Sequence, residues 1–338
     1  MKRHLIKLFL TALVLALIAG ALAYDAYSQL TKPLQVLEQQ NIELQSGSRM
    51  RDAVSALRRE SIFTHPRQGF YLEIWARLSG DAAKIKAGEY RLDPGLSSLE
   101  FLQLMVDGKT VLHEVQFVEG LRFDQAMKIV AANSELVHTL PDLRSETVMA
   151  AINQSDLHPE GRFFPDTYRF SKGTTDVQLL KQAFDAMAKV LAEEWDAKAT
   201  GLPYSQPADA LIMASIVEKE TGLASEREQI AGVFVRRLVM GMRLQTDPTV
   251  IYGIGESFDG NLRKRDLLAD GPYNTYQRTG LPPSPICLPG RAAIRAALHP
   301  ADGKELFFVS RGDGSHKFSA TLAEHEAAVR KYQLRRGK

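Results

Sequence analysis

A carboxyl group that donates a proton near neutral pH must have its charged form disfavoured. One stretch of this chain offers such a place. Pro207-Ala-Asp-Ala-Leu-Ile-Met-Ala-Ser-Ile-Val-Glu-Lys-Glu-Thr-Gly222 reads as a helix, with Pro207 in its first turn and Gly222 as its stop. Ala210, Met213, Ala214 and Val217 recur at helical spacing and make an apolar face. Leu211, Ser215 and Glu218 form the adjoining stripe, so Glu218 lies at the edge of that face near the helix end. Glu220 falls on a different stripe, with Met213 and Ile216. A carboxyl held against apolar surface has its pKa raised, as a general acid requires. The same spacing also suits an ordinary solvated helix glutamate, so spacing alone leaves both roles open.

Three further stretches follow in order. Gly241-Met-Arg-Leu-Gln-Thr-Asp-Pro-Thr-Val-Ile-Tyr-Gly253 places Gln245, Thr246 and Asp247 beside a helix starting at Pro248. Asp247 is either the N-cap of that helix or a ligand-facing group. Gly271-Pro-Tyr-Asn-Thr-Tyr276 combines two aromatic surfaces with amide and hydroxyl bonding, a cradle suited to sugars and N-acetyl groups. Gly280-Leu-Pro-Pro-Ser-Pro-Ile286 is stiff enough to hold a cleft wall. Together with Ala214–Thr221, this series resembles the endolytic murein transglycosylase (YceG-like) family, and the resemblance runs over nearly the whole chain to the His-Lys-Phe-Ser run at 316–319.

The resemblance implies a substrate, the β-1,4-linked MurNAc–GlcNAc strand of peptidoglycan. It implies Glu218 as the single catalytic group, first acid to the glycosidic oxygen and then base to the C6 hydroxyl of the same MurNAc, closing a 1,6-anhydro ring. No metal and no cofactor are required. Gln245, Thr246, Asp247, Tyr252, Tyr273, Asn274 and Tyr276 are the expected substrate-binding residues. Two other classes remain open. A water-using muramidase would need a second carboxylate, Glu220 or Asp247. A glycan-binding scaffold without catalysis would leave Glu218 idle.

The elements that must position these groups are legible in outline. Among 338 residues, 45% are hydrophobic, enough for two packed cores. A net charge of +2 gives no basic field that would point to nucleic acid. Cys287 is the single cysteine, so no intrachain disulfide forms, and its Pro-rich setting points to a structural role. There is no Walker loop, no nucleophile elbow and no dinucleotide fingerprint. His316 and the Glu324-His-Glu326 cluster lack matching further ligands for a metal.

At the N-terminus, Lys2, Arg3 and Lys7 precede an apolar run from Leu8 to Ala23. It reads as a membrane anchor with a cytoplasmic N-terminus, or as a signal peptide cleaved after Ala21-Leu-Ala23. The resemblance favours the anchor, and with it a single-pass protein of the cell inner membrane whose catalytic part is periplasmic. Peptidoglycan synthases are then the expected protein partners.

The expected fold class is α+β, with a cytoplasmic tail at 1–7, a transmembrane helix at 8–24 and a linker at 25–40. A LysM-like βααβ subdomain at 41–112 and a catalytic domain at 113–338 complete it. Ile42–Val54 and Val115–Met127 align as a strand-turn-helix repeat, with Gly47 and Gly120 at the turns and Ser48 as a helix cap. The repeat is either a duplication or a coincidence of similar folds. Helices are expected over Phe70–Leu78, Ser97–Val106, Asp176–Asp196 and Leu322–Tyr332, and a strand over Gly88–Leu92. Ser225–Glu228 reads as a capping box. Phe163, Phe164 and Phe170 are expected in the core, Asp166 at a turn and Trp195 in packing. Leu306–Ser310 is expected as a buried strand paired with Ser315–Ser319.

Overall fold

The computed structural model describes residues 2–333; the end of the expected 113–338 domain and the first residue of the 1–7 tail lie outside them. The chain divides into two units. One comprises everything up to His113 together with Arg169–Thr174, and the other Glu114–Tyr168 together with everything from Thr175.

The first unit begins with α1 (Lys2–Thr31), long and apolar enough to cross a membrane. The helix does not stop where the apolar run does. It continues to Thr31, and Leu30, Leu34 and Val36 are buried in the core of the unit. Leu30, Leu34 and Val36 thus tie residues 25–40, expected as a linker, to that core, while Leu37 and most of the polar side chains there stay exposed. Next come β1 (Gln40–Leu44), α2 (Met50–Arg59), α3 (Arg67–Leu78), β2 (Gly88–Leu92) and α4 (Ser98–Asp107).

β1 and β2 pair antiparallel with Ile42 opposite Tyr90, which puts Ile42, Leu44, Tyr90 and Leu92 into one core with Leu57, Leu72 and Phe101. The strand-helix-helix-strand order is thus present. Ser97 caps α4 through a box with Glu100, and Gly108 ends it at φ +72°. Ser48 does not cap α2. Arg49 is the N-cap, and its own N–H donates to Asp52 at 2.7 Å.

β3 (Leu112–Gln116) and β4 (Thr167–Ser171) form a two-stranded sheet, and the boundary between the units falls within both strands. After β3 the chain turns at Gly120 (φ +81°), as it turns after β1 at Gly47 (φ +84°), so both copies of the aligned segment have the strand-turn-helix build.

The second unit holds α5 (Phe123–Ala132), α6 (Ser145–Ala151), α7 (Asp176–Asp196), α8 (Pro207–Glu220), α9 (Arg227–Val239), α10 (Asp247–Ile254), α11 (Lys264–Leu268) and α12 (Arg291–Leu298). A hairpin of β5 (Phe307–Ser310) and β6 (His316–Ser319) and the helix α13 (Leu322–Tyr332) close it. The hairpin pairs as expected, but only Val309 of β5 is buried, since one face of a two-stranded ribbon is left uncovered. Phe163 and Phe170 are buried, and Phe164 and Trp195 pack against the core from its edge. Asp166 accepts a hydrogen bond from the N–H of Thr167 at 2.7 Å.

α8 is the axis of this unit. The sequence suggests one apolar face, but every residue from Ala210 to Val217 is buried. α12, α9, α7 and α10 pack around it, and a helix covered on all sides needs no polar face. It ends at Glu220, with Thr221 in an extended conformation, so Gly222 is not its stop. Nor is Ser225–Glu228 a capping box. A short 3₁₀ turn fills Ala224–Glu226, and the Glu226 carboxylate is taken by the N–H and ring of His316.

Candidate active site

The burial of α8 ends abruptly at three charged residues. Successive residues of a helix point about 100° apart, so Glu218, Lys219 and Glu220 leave in three directions. Lys219 reaches the carbonyl of Gly120 at 3.2 Å. The two glutamates enter separate environments.

The Glu218 side chain is 7% exposed, and its Oε2 accepts a hydrogen bond from the N–H of Gly290 at 3.0 Å. Gly290 is the N-cap of α12, where backbone donors face outward. Glu119 lies so close against it that a Cβ at position 290 would collide with the Glu119 carboxylate. Arg227 places Nη2 3.9 Å from Glu218 Oε1. Burial raises the pKa of Glu218, the like charge of Glu119 adds to the rise, and the Gly290 amide and Arg227 oppose it. Such a carboxyl keeps its proton to higher pH than a solvated glutamate and can still release it.

Two buried contacts hold the loop that carries Gly290. The Ser215 hydroxyl accepts the N–H of Ile286 at 3.0 Å, and the Cys287 thiol donates to the Ser215 carbonyl at 3.3 Å. Cys287 is thus a packed structural residue, its thiol pushed well up by burial.

Glu220 faces the other way. It lines a cavity of about 450 Å³ with Gln245, Asp247, Tyr276, Arg237 and His316. The Thr246 hydroxyl donates to Glu220 Oε1 in a very short hydrogen bond. Burial pushes Glu220 up to about 7, Thr246 opposes the rise, and the charge of Asp247 adds to it. The Tyr276 hydroxyl donates to Asp247 Oδ1 at 2.6 Å. Asp247 is the first residue of α10 and does not cap it; Thr246 holds the cap position without a side-chain bond. Gln245 is left-handed at φ +53°, which swings the chain into this wall.

The expected substrate-binding residues therefore fall into three groups. Gln245, Asp247 and Tyr276 meet at the Glu220 cavity. Tyr252 and Tyr273 stack edge-on, ring centres 4.8 Å apart, in another place. Thr246 and Asn274 are buried. The Asn274 amide donates to the carbonyls of Asp266, Leu267 and Ala269, and its oxygen accepts from the N–H of Tyr276. It shapes the loop from within. Glu218 is a wall residue of neither the Glu220 cavity nor the smaller one, about 290 Å³, lined by Lys219, Tyr252 and Ile286.

A model of the YceG-like family matches residues 42–331. The chain belongs to that family. It is 32% identical over 309 residues to the endolytic murein transglycosylase of Bacillus subtilis, covering 86% of this chain and 84% of that protein. It is 25% identical over 358 residues to the endolytic murein transglycosylase of Streptococcus pneumoniae, covering 95% of this chain and 64% of that longer one. A crystal structure of a yceG-like protein from Listeria monocytogenes superposes with a TM-score of 0.56 at 30% identity, covering 86% of this chain and 99% of that one.

Within this YceG-like chain, reading the sequence alone passes over Glu160, Glu119 and Arg227. Glu160 is 3% exposed, accepts the N–H of Phe123 at 2.9 Å and the hydroxyl of Tyr252 at 3.1 Å, and is pushed by burial up to about 7. Its only signal was a carboxylate directly before the Gly161-Arg-Phe-Phe-Pro-Asp run.

Raised in this way, Glu160 makes the stability of the fold depend on pH. The folded state holds the Glu160 proton between the ordinary 4.5 and about 7, where the unfolded chain has released it. Its contribution is complete below 4.5 and is lost as pH rises through about 7. Glu160→Gln removes this dependence. Thermal unfolding of both proteins from about pH 5 to about pH 8 should show the wild type losing ground to the variant. Parallel curves would mean that Glu160 titrates normally.

Proposed function

We propose that this protein is a membrane-anchored lytic transglycosylase that cuts the MurNAc–GlcNAc β-1,4 bond inside nascent peptidoglycan strands. The observation that carries the reading is the Glu218 carboxyl, buried, raised in pKa and held by the Gly290 amide at the end of α8. Protonated Glu218 donates to the glycosidic oxygen as the bond from that oxygen to C1 of MurNAc breaks. The C6 oxygen of the same sugar then bonds to C1 and gives its proton back to Glu218. One proton goes out and one returns, no water is consumed, and a 1,6-anhydro end is left. One carboxyl suffices for both steps, unlike hydrolysis, which uses two.

α1 supports anchoring, with Lys2, Arg3 and Lys7 on the cytoplasmic side and the rest of the chain outside. Tethering there puts the site beside strands leaving the peptidoglycan synthases, where cutting ends elongation. The βααβ order of the first unit supports a LysM-like role in holding glycan.

A second reading is favoured by the open Glu220 cavity, which brings a raised carboxyl together with Asp247. It makes Glu220 the acid and Asp247 the partner that activates water. Mass spectrometry of glycan strands digested by the whole protein separates the two. Anhydro ends support transglycosylation; reducing ends, heavier by one water, would overturn it. Tyr276 offers a smaller test. Tyr276→Ala should raise KM about 2- to 13-fold, the worth of an aromatic contact of ~0.5–1.5 kcal/mol, and Tyr276→Phe should keep most of it. An unchanged KM in both would remove Tyr276 from the sugar-binding surface.

A further inference from the structure

We propose that α3 is a membrane-surface helix, whose face bearing Phe70, Ile74 and Leu78 lies in the headgroup layer of the bilayer that α1 crosses. The inference rests on the anchoring reading above and adds a second attachment to it. Phe70, Ile74 and Leu78 recur every four residues on one face of α3 and are 60%, 38% and 82% exposed. Trp75, at the edge of the same face, is 42% exposed. The opposite face, Leu72 and Ala76, is fully buried in the core. An apolar stripe of this kind on a soluble surface calls for a partner.

The way α3 is fastened to α1 says which partner. Arg67 and Tyr71 both bond Asp25 Oδ2, at 2.9 and 2.7 Å. Gln68, on the core-facing side, donates instead to the carbonyl of Gln29 at 2.9 Å. Along α1 the core side of α3 is therefore met at residue 29, and the exposed side four residues nearer the apolar run. Phe70 and Ile74 lie beyond Arg67 and Tyr71 in that same sense, so the stripe is turned toward the span.

Asp25 follows the end of the run at Ala23 by about 3 Å of helix rise, which places it among the headgroups. Tyr24 and Tyr27, 76% and 58% exposed, mark the same level as aromatic side chains do at membrane interfaces. The side chains of Arg67 and Arg77 are 55% and 70% exposed and long enough to meet lipid phosphates. Glu73, paired with Arg77 at 3.7 Å, is the acidic group on this helix. Apolar side chains flanked by arginines are what an interfacial helix presents.

Trp75 and Trp195 are the two tryptophans of the chain, so Trp195→Phe makes Trp75 a single reporter in the full-length protein. The protein is placed in phosphatidylglycerol-containing vesicles in which some lipids carry a spin label high on the acyl chain. We expect Trp75 emission to fall roughly twofold with the shallow label and to be shielded from aqueous iodide, as for a helix buried ~5–10 Å into the interface. Phe70→Glu with Leu78→Glu, both at exposed positions, should abolish the quenching while the protein still sediments with vesicles after an alkaline wash. Iodide access without lipid quenching, in protein that sediments, would overturn the α3 proposal and leave anchoring intact. Shielding from both quenchers would also overturn it, and would assign the stripe to a second copy of the chain. Release by the alkaline wash would overturn the anchoring reading itself.

Discussion

Glu218→Gln is expected to slow cleavage of glycan strands about 100-fold or more, with the fold unchanged. Glutamine has nearly the shape of glutamate, and its Oε1 can still accept the N–H of Gly290 that fixes the wild-type side chain at 3.0 Å. What it lacks is the exchangeable proton that must leave and return. Solvation is not at issue, because the side chain is already only 7% exposed. The comparison that gives the result its meaning is Glu220→Gln. Glu220 sits 200° further round the helix, shares no hydrogen-bond partner with Glu218, and is tied to Thr246. Under the Glu218 mechanism its substitution costs much less. If rates measured on purified strands fall about 100-fold for Glu220→Gln and only a few-fold for Glu218→Gln, the acid has been misassigned and the open cavity is the active site. The wild-type rate should also decline as pH rises through the raised pKa of Glu218, since the first step needs the protonated form.

Local chemistry made the helices legible. α7, α13 and the start of α8 fall where periodicity and first-turn residues place them, because Thr175, Thr321 and Pro207 act on neighbours within one turn. What escaped was decided by parts of the chain far away in sequence. That α8 is buried all round depends on α9 and α12, contributed by later segments. Ser225–Glu228 has the letters of a capping box, but a 3₁₀ turn takes Ala224–Glu226, and Glu226, bound to His316 90 residues on, holds the cap position instead. The motif words grouped Thr246, Asp247, Tyr252, Asn274 and Tyr276 as one set of ligand-facing residues. The fold spends Thr246 and Asn274 on internal bonds and sends Tyr252 to Glu160. Glu218 stands at the edge of an apolar stripe, but spacing left its role open, and the family resemblance is what pointed to it. Its neighbours Glu119 and Arg227 arrive from a turn and from another helix, which no spacing rule could join.

Gly161→Ala is expected to destabilise the second unit by about 2–5 kcal/mol, a large effect for one methyl group. Two costs combine. Gly161 has φ +77°, a left-handed conformation that costs an ordinary residue ~1–2 kcal/mol. A Cβ there would also stand 2.5 Å from Cβ and 2.7 Å from Cγ of Pro285, with the Cys287 carbonyl 3.3 Å away. A proline ring cannot swing aside as a lysine tip can, so the clash adds ~1–3 kcal/mol. Gly201 is the control. It lies in the same unit at φ +76°, but nothing lies within 4 Å of its would-be Cβ. Gly201→Ala therefore meets only the backbone cost. At ~2–4 °C per kcal/mol, the melting temperature should fall by roughly 4–20 °C for Gly161→Ala and by a few degrees for Gly201→Ala. Equal shifts would show that the Pro285 loop yields. That result would also weaken the case for a stiff wall, because the loop running from Pro285 through Cys287 carries the Gly290 amide against Glu218.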